Sequence, residues 1–230
     1  MLRAFALGVI AQSSLLVAGL TVYRFTFSRR FVGMLAGFGA GAMLAAVSFD
    51  LVAEARGLTL LGISAWMLAG VAVFILGDRY VERRFGDGGT GGAMGIVVGS
   101  VVDGVPESMI LGIQLATHLP VSASFIMAVM VSNVPQAIAP SAELAGAGWS
   151  PRRLGRLWAL VVLACGLAAA LGYGTANLND AFDGEALAAL ATGGLLTLLT
   201  NSLMPFAYEH GGELAGLATV IGFCVSLGSS

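Results

Sequence analysis

Apolar residues run through this chain in blocks of about 20, the length that carries a helix across the hydrocarbon core of a bilayer. Polar residues gather at the block ends. Eight blocks can be drawn, at 4–23, 32–53, 59–78, 94–116, 120–142, 154–176, 186–207 and 212–229. They use nearly all of residues 1–230, so the expected fold is a single all-α integral membrane unit of eight transmembrane helices. The connections are short. The longest, Tyr80 to Gly92, holds Gly86-Asp-Gly-Gly-Thr-Gly-Gly92 and reads as a flexible link.

Composition agrees. Hydrophobic residues make up 57% and charged residues 10%, with a mean hydropathy of +0.90, whereas soluble domains carry about 25% charged residues. The distribution of charge says more than its net value of −2. All 11 basic residues are arginine. Arg24, Arg29 and Arg30 follow the first block, Arg79, Arg83 and Arg84 the third, and Arg152, Arg153 and Arg156 the fifth. Only Arg3 and Arg56 fall on the other side. The positive-inside rule makes the three rich loops cytoplasmic and places both termini outside, in a cytoplasmic (inner) membrane. Arg3 ahead of an apolar run imitates a signal peptide, but removing that run would spoil the alternation. Asp180, Asp183 and Glu185 then share an outer loop and read as solvated acids, and Cys165 and Cys224 read as packing residues.

Glycine is patterned: Gly33, Gly37 and Gly41 recur every fourth residue, as do Gly91, Gly95 and Gly99. Such stripes let helices approach closely in lipid, within the chain or against a second copy in a homodimer. A short internal repeat also appears. Aligning Gly41 with Gly193 superposes Ala42–Glu54 on Gly194–Phe206, which pairs the second block with the seventh. The fourth and fifth blocks pair through Asp103-Gly-Val-Pro-Glu-Ser108 and Ser132-Asn-Val-Pro-Gln-Ala137. Equivalent helices from opposite ends of the chain are what an inverted repeat of three, two and three helices produces.

These polar segments carry the candidate chemistry. Acids and prolines deep in a lipid-spanning helix are costly and mark ion or substrate sites. Asp103 and Glu107 are four positions apart and share a helix face. Pro106 between them frees the carbonyl of Val102, completing an oxygen cage for a cation. The fifth block adds the neutral oxygens of Ser132, Asn133 and Gln136, with Pro135 kinking the helix. Asp50 and Glu54, also four apart, form either an outer approach for the cation or interface contacts, with Glu54 paired to Arg56. Asn201, Ser202 and Pro205 are their counterparts in the seventh block; Glu143 stands near the cytoplasmic end, and His118 and His210 read as loop residues. There is no phosphate-binding loop, no nucleophile–base pair and no zinc-protease spacing, and the methionines form no thioether cluster. The chain reads as neither an enzyme nor a nucleic-acid binder.

At these motifs the sequence resembles the ZIP family (Zrt- and Irt-like proteins) of divalent metal transporters. That family typically carries His-Asn-x-Pro-Glu-Gly in the fourth helix and a similar motif in the fifth, where this chain has Asp103–Ser108 and Ser132–Gln136. Asp50-Leu-Val-Ala-Glu-Ala55 and Pro205-Phe-Ala-Tyr-Glu-His-Gly211 resemble further family motifs in the second and seventh helices. The resemblance implies a ZIP-like bundle with proline-kinked helices four and five, and alternating-access transport of zinc, iron or manganese. Aspartate and serine replace the two motif histidines, and Gly166–Gly172 lacks the acid that bacterial members often carry there. A set of Asp103, Glu107, Asn133 and Gln136 is all oxygen and favours harder ions such as manganese or magnesium. The alternative keeps the fold but not the transport of metal: a scaffold, or a carrier of another small solute. The metal would be cargo, with no resident cofactor.

Overall fold

The computed structural model describes residues 1–85, 92–116, 121, 123–178 and 184–228; within these, the side chains of 81, 82, 84, 85, 92–100, 102, 103, 106, 177 and 178 lie outside the description. The described residues are almost wholly helical. This is consistent with a multi-pass membrane protein, since an apolar segment away from water must satisfy its amides and carbonyls internally. The rods are α1 (Leu2–Thr21), α2 (Arg29–Gly57), α3 (Leu60–Phe85), α4 (Gly92–Ala116), α5 (Ala123–Gly146), α6 (Pro151–Leu178), α7 (Gly184–Gly211) and α8 (Glu213–Leu227). Six of them, α1, α2, α3, α5, α6 and α7, are long and apolar enough to cross a membrane. In α4 the described apolar stretch is Glu107–Ala116, and α8 has 15 residues, about 22 Å of helix against a core of about 30 Å.

Local chemistry sets the ends. Ser28 caps α2, its side chain accepting from the Phe31 amide at 3.2 Å. The chain leaves α5 through Gly148 at φ 86, with the Trp149 amide returning to the Leu144 carbonyl at 3.0 Å. Gly212, at φ 61, lets α8 follow α7 without a spacer.

The rods α1, α2 and α4 to α7 form the packed interior, while α3 and α8 lie outside, on α7 and α2 respectively. Leu60, Leu61, Leu68 and Leu76 on α3 and Leu217, Val220 and Val225 on α8 are exposed, as lipid-facing residues should be. One core gathers Met43, Leu51, Leu111, Phe125, Leu198, Leu199 and Leu203. A second surrounds Trp158 with Leu15, Ile138, Leu154 and Cys165. Trp158 is fully buried, and its indole N–H donates to Ser141 Oγ at 2.8 Å, so the polar end of the ring is satisfied.

Pairs of close approaches repeat across the chain. Gly41 leaves room for the Thr219 carbonyl of α8, and Gly193 leaves the same room for the Met67 carbonyl of α3. Gly222 against Phe38 and Gly70 against Leu190 form a second such pair. One constant shift in numbering relates both, and it is the shift that aligns Gly41 with Gly193 in the sequence. Between α1 and α6, Gly8 faces Ala169 and Gly19 faces Trp158, again related by one shift. These last contacts run the two helices antiparallel.

The irregular turns also obey the repeat. Within α2 a π-helical turn spans Val47–Leu51, and within α7 another spans Leu199–Leu203, at aligned positions. The sequence points instead to breaks at the motif prolines, yet α5 is continuous through Pro135 and Pro140. A proline forfeits one amide hydrogen bond and pushes the preceding turn outward, which a buried helix tolerates when its neighbours are fixed. A π-turn inserts one residue and re-aims every side chain beyond it. In α2 the π-turn carries Asp50 and turns Glu54 inward.

Candidate functional site

The strongest polar feature joins three helices at mid-height. Gln12 sits halfway along α1, Glu107 on α4 and Asn133 on α5, and all three are buried. Gln12 Nε2 donates to Glu107 Oε2 at 3.1 Å. Asn133 Nδ2 donates to Gln12 Oε1 at 2.8 Å. The two bonds fix the orientation of the Gln12 amide, with its donor toward the acid and its acceptor toward the other amide. Glu107 Oε1 has no hydrogen-bond partner. Insertion scales put a lone acid at the bilayer centre at about 2.5–3.5 kcal/mol, so an unpartnered carboxylate oxygen there is a costly feature to retain.

Packing around the cluster is close. Gly104, one turn before Ser108, lies against Cys165 Sγ and Gln12 Oε1, where a Cβ would not fit. Ser132 does not join the cluster: its hydroxyl donates to the Val129 carbonyl at 3.0 Å, and its backbone meets Gly39 of α2. Gln136, one turn beyond Asn133, keeps its Oε1 buried without a hydrogen-bond partner. Asp103 belongs to α4 one turn before Glu107, but its side chain lies outside the described residues. Sequence reasoning did not select Gln12. Its signal was a glutamine followed by Ser13 and Ser14 in the middle of an apolar block.

Asp50 and Glu54 are placed toward the end of the molecule away from the arginine-bearing loops around residues 24–30 and 152–156. Ser124 Oγ donates to Asp50 Oδ2 at 2.7 Å. Gln114 Nε2 donates to Glu54 Oε1 at 2.9 Å, so α4, and not Arg56, holds this acid. Gln114 lies two turns from Glu107 on the same face of α4, about 10 Å along the axis. Among the described residues a cavity of about 10 Å³ lies beside Glu54 and Gln114, lined also by Ile110, Ile113 and Gly184. That is about the least space that holds one water molecule.

The opposite end is open. A crevice of about 620 Å³ lies between α1, α2, α5 and α7, lined by Val32, Ala139, Ala142, Glu143, Phe206 and His210 among others. Ala139 is one turn beyond Gln136, so the crevice reaches to within about 5 Å of that residue along the helix axis. His210 is not a loop residue. It lies in α7, where its ring stacks on Phe206 at 4.2 Å and Nδ1 lies 2.9 Å from the Phe206 carbonyl. His118 lies outside the described residues, as do Asp180 and Asp183. Beside the crevice, the Tyr23 hydroxyl donates to the Trp149 carbonyl at 2.6 Å, and the Arg153 guanidinium lies 3.8 Å over the Trp149 ring. Aromatic residues and arginines together at one level mark a membrane interface.

Among the described residues no group of three or more His, Cys, Asp or Glu side chains could hold a metal ion. The described donor set at mid-height is one carboxylate and amide oxygens. Such a set can take a hard cation that keeps part of its hydration shell, but it lacks the imidazole and thiolate donors of a tight zinc site. No protein-family model and no curated protein matches this sequence.

Proposed function

We propose that this chain is a ZIP-like permease that moves divalent metal cations across the cytoplasmic membrane by alternating access, with eight spans in a three-two-three inverted repeat and both termini outside. The observation that carries the reading is the Gln12–Glu107–Asn133 cluster: a buried acid with a spare oxygen, at mid-height, where three helices meet. Glu107 supplies charge, and Asn133 and Gln136 supply neutral oxygens. Asp103 is the second acid proposed, one turn away on α4. Ser132 contributes its backbone to packing. Asp50 and Glu54 guard the approach from the outer side.

The repeat supports alternating access. Antiparallel copies of one fold can adopt two arrangements of similar energy, and a wide crevice at one end with a narrow cavity at the repeat-related place fits one of them. Zinc, iron and manganese are the metals the resemblance implies, and the oxygen-rich donors favour manganese within that group. Calorimetric titration of the purified protein with Mn²⁺ and Zn²⁺ tests the site. Saturable binding that Glu107→Gln abolishes is the expected result. Binding unchanged by Glu107→Gln removes the site assignment.

One observation favours a second reading, a ZIP-like membrane protein that carries another small solute or serves as a scaffold: the described residues lack any cluster of three metal-binding side chains. No heat from any divalent cation in the same titration would select that reading.

A further inference from the structure

The narrow cavity beside Glu54 and the wide crevice beside Glu143 are the same place in the two halves of the fold. The shift that relates α2 to α7 carries Glu54 to Phe206, and in reverse carries Gly184 to Val32. The shift that relates the Val-Pro segments of α4 and α5 carries Ile110 to Ala139, Ile113 to Ala142 and Gln114 to Glu143. The first member of the Glu54, Ile110, Ile113 and Gln114 pairs lines the cavity of about 10 Å³, with Gly184, and the second members line the crevice of about 620 Å³, with Val32. Exchanging two isoleucines for two alanines frees a few methyl groups, far less than this difference. Among the described residues the helices lie close together at the first place and apart at the second.

The residues at the two places also differ in what can hold them shut. At the narrow place Gln114 donates to Glu54 at 2.9 Å. At the open end the matching residues are Glu143 and Phe206, and a phenyl ring accepts no such bond. We propose that the Gln114–Glu54 bond is a latch that keeps the chain open toward its arginine-bearing end. Release of the latch lets the halves rock, so that Phe206 enters the space beside Ala139, Ala142 and Glu143 while Glu54 parts from Gln114. Glu54 Oε2, buried without a partner while the bond is made, regains water when that end opens. This makes Gln114, which lies outside the proposed metal set, a positioning residue for the cycle. The proposal rests on the alternating-access reading of the fold.

Two reporters at repeat-related positions read the two ends. Ala142→Cys lies in the wide crevice, and Ile113→Cys lies in the narrow cavity. Both are placed in a Cys224→Ser chain, since Cys224 is exposed and Cys165 buried. Reaction with a hydrophilic maleimide is followed on the purified protein without metal. The unaltered latch gives fast labelling at Ala142→Cys and slow labelling at Ile113→Cys. Gln114→Leu should raise the rate at Ile113→Cys and lower it at Ala142→Cys, each by about tenfold, the shift expected from losing one hydrogen bond to a carboxylate. The pair Glu143→Gln with Phe206→Glu transplants the latch to the other end and should shift the rates the same way with Gln114 intact. Rates that rise together in Gln114→Leu, as local loosening would cause, overturn the proposal. So does a transplanted latch that leaves Ala142→Cys as reactive as before, and this variant decides the matter alone if Gln114→Leu does not fold. Reciprocal labelling in a chain that binds no metal would leave the latch standing and defeat only the transport of metal.

Discussion

Gln12 on α1 and Glu107 on α4 meet at 3.1 Å in a site closed to solvent, and the same Gln12 side chain receives the Asn133 amide at 2.8 Å. One amide therefore ties two helices of the Val-Pro pair to a third. Removing it strands a buried carboxylate and a buried amide together.

Gln12→Leu keeps the volume but cannot bond to either neighbour. An unsatisfied buried polar group costs about 1–3 kcal/mol, so thermal unfolding in detergent should fall by several degrees. Divalent-cation affinity measured by calorimetry should fall about tenfold or more. Gln12→Glu keeps the acceptor toward Asn133 but sets a second carboxylate against Glu107 in place of the donor, so it should restore little of the stability. Full affinity in Gln12→Leu would show that the bridge does not shape the site.

Repeat-related glycines should fail alike. Gly41 and Gly193 each admit a backbone carbonyl of a peripheral helix, and a side chain at either must push that helix away. Gly41→Val and Gly193→Val should each lower the unfolding midpoint, by similar amounts, whereas Gly216→Val, where nothing lies within 4 Å, should leave it unchanged. A large loss at one of the first two positions and none at the other would contradict the repeated packing.

The helix crossings at Gly41 and Gly193 and the π-turns at Val47–Leu51 and Leu199–Leu203 fall at positions that the sequence alignment of the second and seventh blocks pairs. Small residues carry that signal, since a close approach excludes every larger side chain. Of the eight apolar blocks, six are, among the described residues, helices long and apolar enough to cross a membrane, legible because each block has the length that a span requires. The position of the breaks was not legible. Prolines announce themselves, but a π-turn leaves no residue type of its own. Glu107 and Asn133 stood out as polar residues beside prolines, while Gln12 lacked a motif and showed its role only when α1 was packed against α4 and α5. Ser132 illustrates the converse: it occupies a motif position, yet its hydroxyl serves its own helix.

Trp158 anchors the second core in the notch left by Gly19. Trp158→Ala should destabilise the protein by about 3–5 kcal/mol, as deletion of a large buried aromatic does. Ser141→Ala, which removes only the partner of the indole N–H, should cost about 1–3 kcal/mol. Chemical denaturation in mixed micelles checks both. Equal losses in the two variants would mean that the hydrogen bond, and not the ring, carries the contact.

Orientation is open to a direct check. Ser28→Cys and Ser150→Cys lie in loops that the arginine pattern places in the cytoplasm. In intact cells an impermeant thiol reagent should leave both unlabelled and should label a cysteine added ahead of Met1. The opposite pattern would invert the proposed topology without altering the fold.

The account stands or falls on Glu107. Purified protein in liposomes loaded with a metal-sensitive dye should admit Mn²⁺ or Zn²⁺ at a rate that saturates with concentration, and Glu107→Gln should reduce that rate at least about tenfold while the protein still folds; each tenfold step equals about 1.4 kcal/mol of interaction. Entry that is equally fast with and without Glu107, or no entry of any divalent cation into vesicles holding folded protein, would contradict it.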